Sequence, residues 1–410
     1  MPLRLKVVPA PPILDVYVVW HPDDEAGARA FERIHTHFHS DAYSGLAGGA
    51  VEVYARSLGW SAPGAPPRPL LLPGSGAGTP RPAHLSAIVP VLGAGLRDAA
   101  QHDPPWADYL RVIAGSDSDT IVVLPVAVPG VNLTDSVLQS VVGAIQRLPS
   151  DALANVGLLE RSVAQAVAQK AAGSTAPVRV FISHAKHFSG NETDLPGGPL
   201  YEHVRSVIAG THLAEFFDAH DLLPGTDWAA ELEASAGNSA LLMVRTDRYA
   251  SREWTQREVL VAKQNDVPIV GLIALTEGES RGSFLMDHVP TVPLSHDAVT
   301  ASVAASLNRL VDEVLKRALW EAQSIYIQEE GFDWTPVHAP EPTTAVDWLS
   351  RHQSDHPDDD HLWIIHPDPP LGPAERAVID DLCQLAGFDT RVDILTPRTF
   401  AARGGVLDER

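Results

Sequence analysis

Cysteine is almost absent: Cys383 is the only one in 410 residues. A single thiol forms no disulfide within the chain and builds no all-thiolate metal site, and a reducing, cytoplasmic setting fits that usage. Basic residues are also scarce, with 30 Lys and Arg against 52 Asp and Glu and a formal charge of −22. Nucleic-acid surfaces draw their affinity from clustered cations, so no nucleic-acid partner is expected. A small anionic ligand stays open, because one helix N-terminus or a single local cation holds a phosphate inside an acidic protein. No uninterrupted apolar stretch approaches the ~18 residues of a membrane span, and no membrane partner is expected. The opening MPLRLKVVPAPPILDVYVVW does not read as a signal peptide, because prolines interrupt its apolar run and no small-residue cleavage site follows.

What is present is the composition of a globular chain, 45% apolar and 20% charged, too long for one ordinary core. Its 34 prolines and 30 glycines gather between apolar runs. Ser61–Pro82 reads as a loop, Ala171–Pro177 as a linker and Thr335–Thr344 as a third break. The acidic run Asp358–Asp360 reads as a solvated turn. Between these breaks three segments open alike. DVYVVW leads into HPDDEAGARAFERIHTHF, VRVFISH into a loop and LYEHVRSVIAGTHL, and HLWII into HPDPPLGPAERAVIDDLCQLAG. Each is a β-branched run, a polar turn and a helix-period pattern, the opening of a parallel α/β fold. The expected division is 1–150, an α/β domain; 151–177, helix and linker; 178–320, a second α/β domain; and 321–410, a linker and a partial α/β segment.

The middle segment continues with EFFDA, a short strand candidate, then HDLLPGTDWAAEL with a Pro224-Gly225 turn. Ser239–Arg245 is a continuous apolar run of buried-strand length; TDRYASREWTQREVLVAKQ reads as loop then helix, and VPIVGLIAL as another buried strand. Strands alternating with helices imply a parallel sheet covered on both faces, with its ligand crevice beyond the carboxyl ends of the strands. FISH, FFDAHD and the SREW loop occupy such ends.

In this order the motifs resemble those of the Toll/interleukin-1 receptor (TIR) domain. FISHA is similar to its first box, FFDAHDLLPG to its second, SREWTQRE to its S-x-x-W-x-x-x-E stretch, and VPIVGLIAL to the strand that follows. The match covers Val178 to about Trp320. It implies a flavodoxin-like fold with a parallel central sheet flanked by helices. In TIR domains that cleave NAD the glutamate of the third stretch is catalytic, which falls on Glu258. Trp254 matches a position lining the nicotinamide side of the pocket. Ser183 and His184 match the loop near the phosphates and adenosine, and Phe217, Asp218, His220 and Asp221 match the second box. The family often carries an Arg after the first box. Here Ala185 and Lys186 stand instead, which makes Lys186 the cation offered to the substrate, and the loop HFSGNETDLPGGP follows. The resemblance implies an NAD+ glycohydrolase or cyclase that releases nicotinamide, with NAD+ as substrate and no further cofactor or metal. Bacterial proteins of this kind serve in antiphage immunity, and their sites are commonly completed by assembly with other TIR domains. The alternative is a non-enzymatic scaffold working through TIR–TIR contact.

The residues support the chemistry independently. Trp254 and Glu258 stand four apart on a predicted helix and share a face. An aromatic wall with a carboxylate one turn away suits N-glycosidic cleavage, because nicotinamide leaves neutral and the ribose becomes oxocarbenium-like. The bland reading makes Glu258 a solvated first-turn glutamate facing Arg257 or Lys263 loosely.

In the first segment, His21-Pro22-Asp23-Asp24-Glu25 resembles the metal motif of zinc-dependent N-acetyl-sugar deacetylases, with His35, His37, His39, His84 and His102 as candidate further ligands. That family's glycine-rich continuation is missing. The preferred reading is a second, TIR-like domain, because VYVVWHPDD, AIVPVLGAGL, PPWADYL and TIVVLPVAV follow the order of the middle segment. There Trp106 is followed four residues on by Leu110 rather than an acid, so this domain is expected to be catalytically silent. In the last segment two strands and a helix are too few to bury a stable core alone.

Overall fold

The computed structural model describes residues 12–43, 50–74, 81–134, 136–143, 145–149, 151–174, 176–185, 199–211, 213–217, 239–356, 361–388, 391–405 and 407. The chain divides into two compact units, Met1–Ala171 with Ala322–Glu329, and Ala172–Glu321 with Glu330–Arg410.

The first unit is built on strands β1 (Leu14–Val19), β2 (Val51–Arg56), β3 (Leu85–Leu92), β4 (Ile121–Val123) and β5 (Val126–Ala127). They run parallel in the order β2-β1-β3-β4, with β5 also on β3. All six residues of β1 and all eight of β3 are buried, as expected of strands covered on both faces. Helices α1 (Glu25–Phe38) and α5 (Leu158–Ala171) pack on the sheet, and α2 (Ala94–His102), α3 (Pro104–Ala114) and α4 (Val137–Val142) pack on one another. Tyr17, Ile88, Leu96, Trp106, Leu110 and Leu138 share one core cluster, which joins the α2–α4 layer to the sheet.

Where a doubly wound fold carries a helix after its second strand, the described residues of the stretch between β2 and β3 form no helix. This is the proline-rich loop. Its backbone is strapped down by side chains of the sheet and of α3: the Tyr17 hydroxyl lies 2.9 Å from the Leu71 carbonyl, Trp106 donates to the Gly64 carbonyl at 2.9 Å and Tyr109 to that of Arg68 at 3.3 Å.

The second unit carries β6 (Arg179–His184), β7 (Ala214–Phe217), β8 (Ser239–Arg245), β9 (Ile269–Ile273) and β10 (Thr291–Pro293), all parallel, in the order β10-β9-β8-β6-β7. Counted within the unit this is 2-1-3-4-5, the flavodoxin-like order, whose ligand crevice opens where the winding reverses beside the first strand. That point lies between the carboxyl ends of β6 and β8, where Ser183 stands opposite Met243 and His184 opposite Val244. The flanking helices are α6 (Leu200–Ala209) and α7 (Glu253–Gln264); the 30-residue α8 (Val299–Gln328) follows β10 in the chain, and its residues from Ala322 on fall in the first unit.

The last segment adds α9 (Pro342–Asp355), the parallel pair β11 (His361–Ile365) and β12 (Arg391–Leu395), α10 (Pro373–Leu385) and α11 (Pro397–Ala402). Ala345, Leu349, Leu362, Ile364, Ile379, Cys383, Phe388 and Ile394 give it a small core of its own. It does not stand alone, because α9 packs against α7. There Lys263 reaches the carboxylate of Glu341, the residue capping α9, at 2.8 Å, with both side chains about nine-tenths buried.

Among the described residues no helix is long and apolar enough to cross a membrane.

Candidate active site

Alternation along β6 sends Phe181 and Ser183 to the same face of the sheet. Phe181 belongs to the core cluster that holds Val259 and Ala262 of α7, so this is the face α7 covers. Ser183 is buried there, and its hydroxyl donates to Oε2 of Glu258. The same hydroxyl meets the Tyr249 phenol at 2.5 Å. One strand end, one loop and one helix therefore converge on three oxygens.

The start of α7 explains how the loop residue is placed. Arg252 caps the helix without a side-chain hydrogen bond. In place of such a cap, Thr255 donates its hydroxyl to the Tyr249 carbonyl at 2.7 Å and Gln256 its amide to the Ala250 carbonyl at 2.7 Å. These two bonds fold the loop back under the first turn and bury Tyr249 completely. Glu258 follows on the inward face with Thr255, Val259 and Ala262, and is only 5% exposed. Trp254, one turn earlier, is 41% exposed. The helix thus presents a buried carboxylate and an accessible indole.

Glu258 is therefore not the solvated glutamate of the bland reading. Lys263 spends its charge on Glu341 and Arg257 is exposed. Burial, and next the charge of Glu258, push the Tyr249 phenol well above its ordinary range, so it stays protonated. A third charge lies at the end of β8. Arg245 forms a two-pronged pair with Glu279 at 3.0 and 2.6 Å, and that bond raises the pKa of its guanidinium.

Of the other residues singled out from the sequence, His184 ends β6 and stacks face to face on Tyr201 of α6, ring centres 4.4 Å apart. Its Nδ1 lies 3.2 Å from the Ala185 carbonyl. Phe217 closes β7 and pairs in register with Phe181. Lys186, Asp218, His220 and Asp221 lie outside the described residues. Ser183 and Glu258 are thus brought into direct contact, with Trp254 on the same helix and His184 on the same strand. Tyr249 escaped the sequence reading. An aromatic residue in a polar loop carries no periodic signal that it will be buried.

The matching positions of the first unit are occupied differently. Trp106 is 1% exposed, packed 5.6 Å from the His21 ring, and Leu110 lies in the core cluster. Asp24 of the HPDDE motif gives both carboxylate oxygens to the N-terminus of α2, accepting from Gly95 and Leu96 N–H at 2.8 Å each. This is an anion seated on a helix dipole, a structural use of the residue the deacetylase resemblance makes a ligand or base. Among the described residues no group of three or more His, Cys, Asp and Glu is placed to hold a metal ion.

No protein-family model matches the chain, and no curated protein matches its sequence. What the site does is therefore argued from its residues and geometry.

Proposed function

We propose that the second unit cleaves the nicotinamide–ribose bond of NAD+, with Glu258 as the catalytic carboxylate. The observation that carries this reading is the position of Glu258: buried, hydrogen-bonded by Ser183, and set at the carboxyl end of β6 where the sheet reverses its winding. The order of the TIR-like motifs around it supports the same reading. Trp254 supplies an accessible indole wall for the nicotinamide ring.

In this mechanism the C1′–N bond breaks heterolytically and its electron pair leaves with nicotinamide, which departs neutral. The ribose becomes an oxocarbenium ion, and the Glu258 carboxylate stabilises that charge. Water adds to C1′ and loses a proton, giving ADP-ribose; attack by an adenine nitrogen instead gives a cyclic isomer. Assembly with other TIR domains and a role in antiphage immunity belong to the same proposal.

Nicotinamide release from NAD+ by the purified protein, measured across a range of protein concentrations, tests it. Glu258→Gln is expected to lower turnover by about 10²–10³-fold while far-UV circular dichroism stays that of the wild type. Equal, negligible release by wild type and variant at every concentration overturns the enzyme reading. That outcome leaves the scaffold, which the structural tie between Glu258 and Ser183 also suits, since it joins α7 to β6.

A further inference from the structure

With Glu258 ionised, as the proposed reaction requires, the hydrogen bonds around Ser183 leave one consistent arrangement of protons. An ionised carboxylate only accepts, so the Ser183 proton is the one that bridges to Glu258 Oε2. The serine oxygen then has only lone pairs to offer Tyr249, and the phenol must donate to it. The reverse direction would turn the serine proton toward Tyr249 and set two lone-pair-bearing oxygens against each other at the carboxylate. Neither Tyr249 nor Ser183 is open to solvent, so no bulk water takes over either role. Tyr249 is itself fixed by backbone, its N–H bound to the Thr246 carbonyl at 2.9 Å and its carbonyl to the Thr255 hydroxyl at 2.7 Å.

We propose that Tyr249 is a positioning residue for Glu258: it donates to Ser183 Oγ and thereby locks the serine hydroxyl in the orientation that donates to the carboxylate. This rests on the reading of Glu258 as the reacting carboxylate and names a residue outside the motifs that suggested it. Tyr249 acts through Ser183 and does not itself meet the substrate. A free serine hydroxyl samples three staggered positions, of which one faces Glu258. The phenol occupies one of the other two, the one in which the proton would face Tyr249. The ring, packed with Phe181, Leu241, Met243 and Val259, holds the loop, while the hydroxyl holds the serine.

Tyr249→Phe separates those two roles, since it keeps the ring and deletes one oxygen. In nicotinamide release it is expected to lower kcat by roughly tenfold with KM unchanged, and Ser183→Ala by about tenfold to a hundredfold. The double variant is expected to be no slower than Ser183→Ala alone, because Tyr249 has nothing left to orient. A wild-type kcat in Tyr249→Phe, or a double variant as slow as the product of the two single effects, overturns the proposal. Its failure stays separate from that of the NAD reading through a measurement on the resting protein. Of the seven tyrosines, the ¹³Cζ signal lost in Tyr249→Phe belongs to Tyr249. That signal is expected to move upfield in Ser183→Ala as the phenol loses its acceptor. An unmoved signal overturns the proposal even if the wild type is active. An upfield move supports the relay even if the wild type leaves NAD+ intact, and a downfield move, the mark of a phenol that had been accepting, overturns it.

Discussion

Helices α3 and α7 each follow the third strand of a parallel sheet, and each carries a tryptophan with its partner residue four positions on. In α3 both members are buried: Trp106 donates its indole N–H to the Gly64 carbonyl, and Leu110 sits in the core. In α7 the tryptophan is open and its partner is an acid, held by a serine from the neighbouring strand. The one spacing thus gives a fully buried pair in the first unit and an exposed indole beside a buried acid in the second. The difference is not one of fold. In the first unit the proline-rich loop covers α3, accepting from the Trp106 indole and the Tyr109 hydroxyl.

The comparison is tested most severely by moving the acid. Leu110→Glu should create no new activity and should destabilise the first unit by more than ~3 kcal/mol, since that core offers the new charge no donor. Urea unfolding measures this, and a well-folded variant would mean that the crevice of the first unit is open after all. Trp106→Ala should cost about 3–5 kcal/mol in the same assay. Trp254→Ala should cost less than about 1 kcal/mol, yet raise KM for NAD+ roughly tenfold through loss of the ring's stacking partner. If the two tryptophans exchange these behaviours, the assignment of core and crevice is inverted.

Between these effects in size lies that of one buried carboxylate in the first unit. Asp15, near the amino end of β1, has Tyr17 as its hydroxyl donor. Burial raises its pKa, the Tyr17 bond opposes that and nearby Glu52 adds to it, lifting it from 3.8 to about 6. A folded pKa above the unfolded one gives stability that is full below about pH 4 and lost as pH rises through about 6. The loss is on the order of 3 kcal/mol, and Asp15→Asn should abolish it. Urea midpoints of wild type and variant should therefore diverge between pH 4 and 6.5, with the variant the more stable at neutrality. Parallel curves would sink this account.

Much of the sheet was legible because buried parallel strands are written as continuous apolar runs. Ser239–Arg245 agrees residue for residue, and β1 and β6 begin one residue away from the expected starts at Asp15 and Val178. The Glu215–Ala219 strand is seen as Ala214–Phe217, with its last two expected residues outside the described ones. Other elements gave weak signals. β2, β5 and β10 are short or half exposed, and the sequence break placed near Trp320 falls inside α8, whose periodic pattern runs on to Gln328. For the site, the spacing of Trp254 and Glu258 was local and readable. Ser183 and Glu258 lie 75 residues apart, and Tyr249 and Ser183 lie 66 apart. No periodicity reports such pairings; they follow from strand order and from the turn stapled by Thr255 and Gln256.

The clasp between Lys263 and Glu341 bears on where the second unit can be cut. A fragment ending at Trp320 keeps every strand of the five-stranded sheet and every described residue of the candidate site. It also strips α9 from the flank of α7 and leaves the Lys263 ammonium with the Asp287 carbonyl but no counter-ion. The helix carrying Glu258 would then be anchored at the end that meets the crevice and loose at the other. The smallest piece that keeps its architecture therefore runs on through α9 and the C-terminal segment, which braces the helix carrying Glu258.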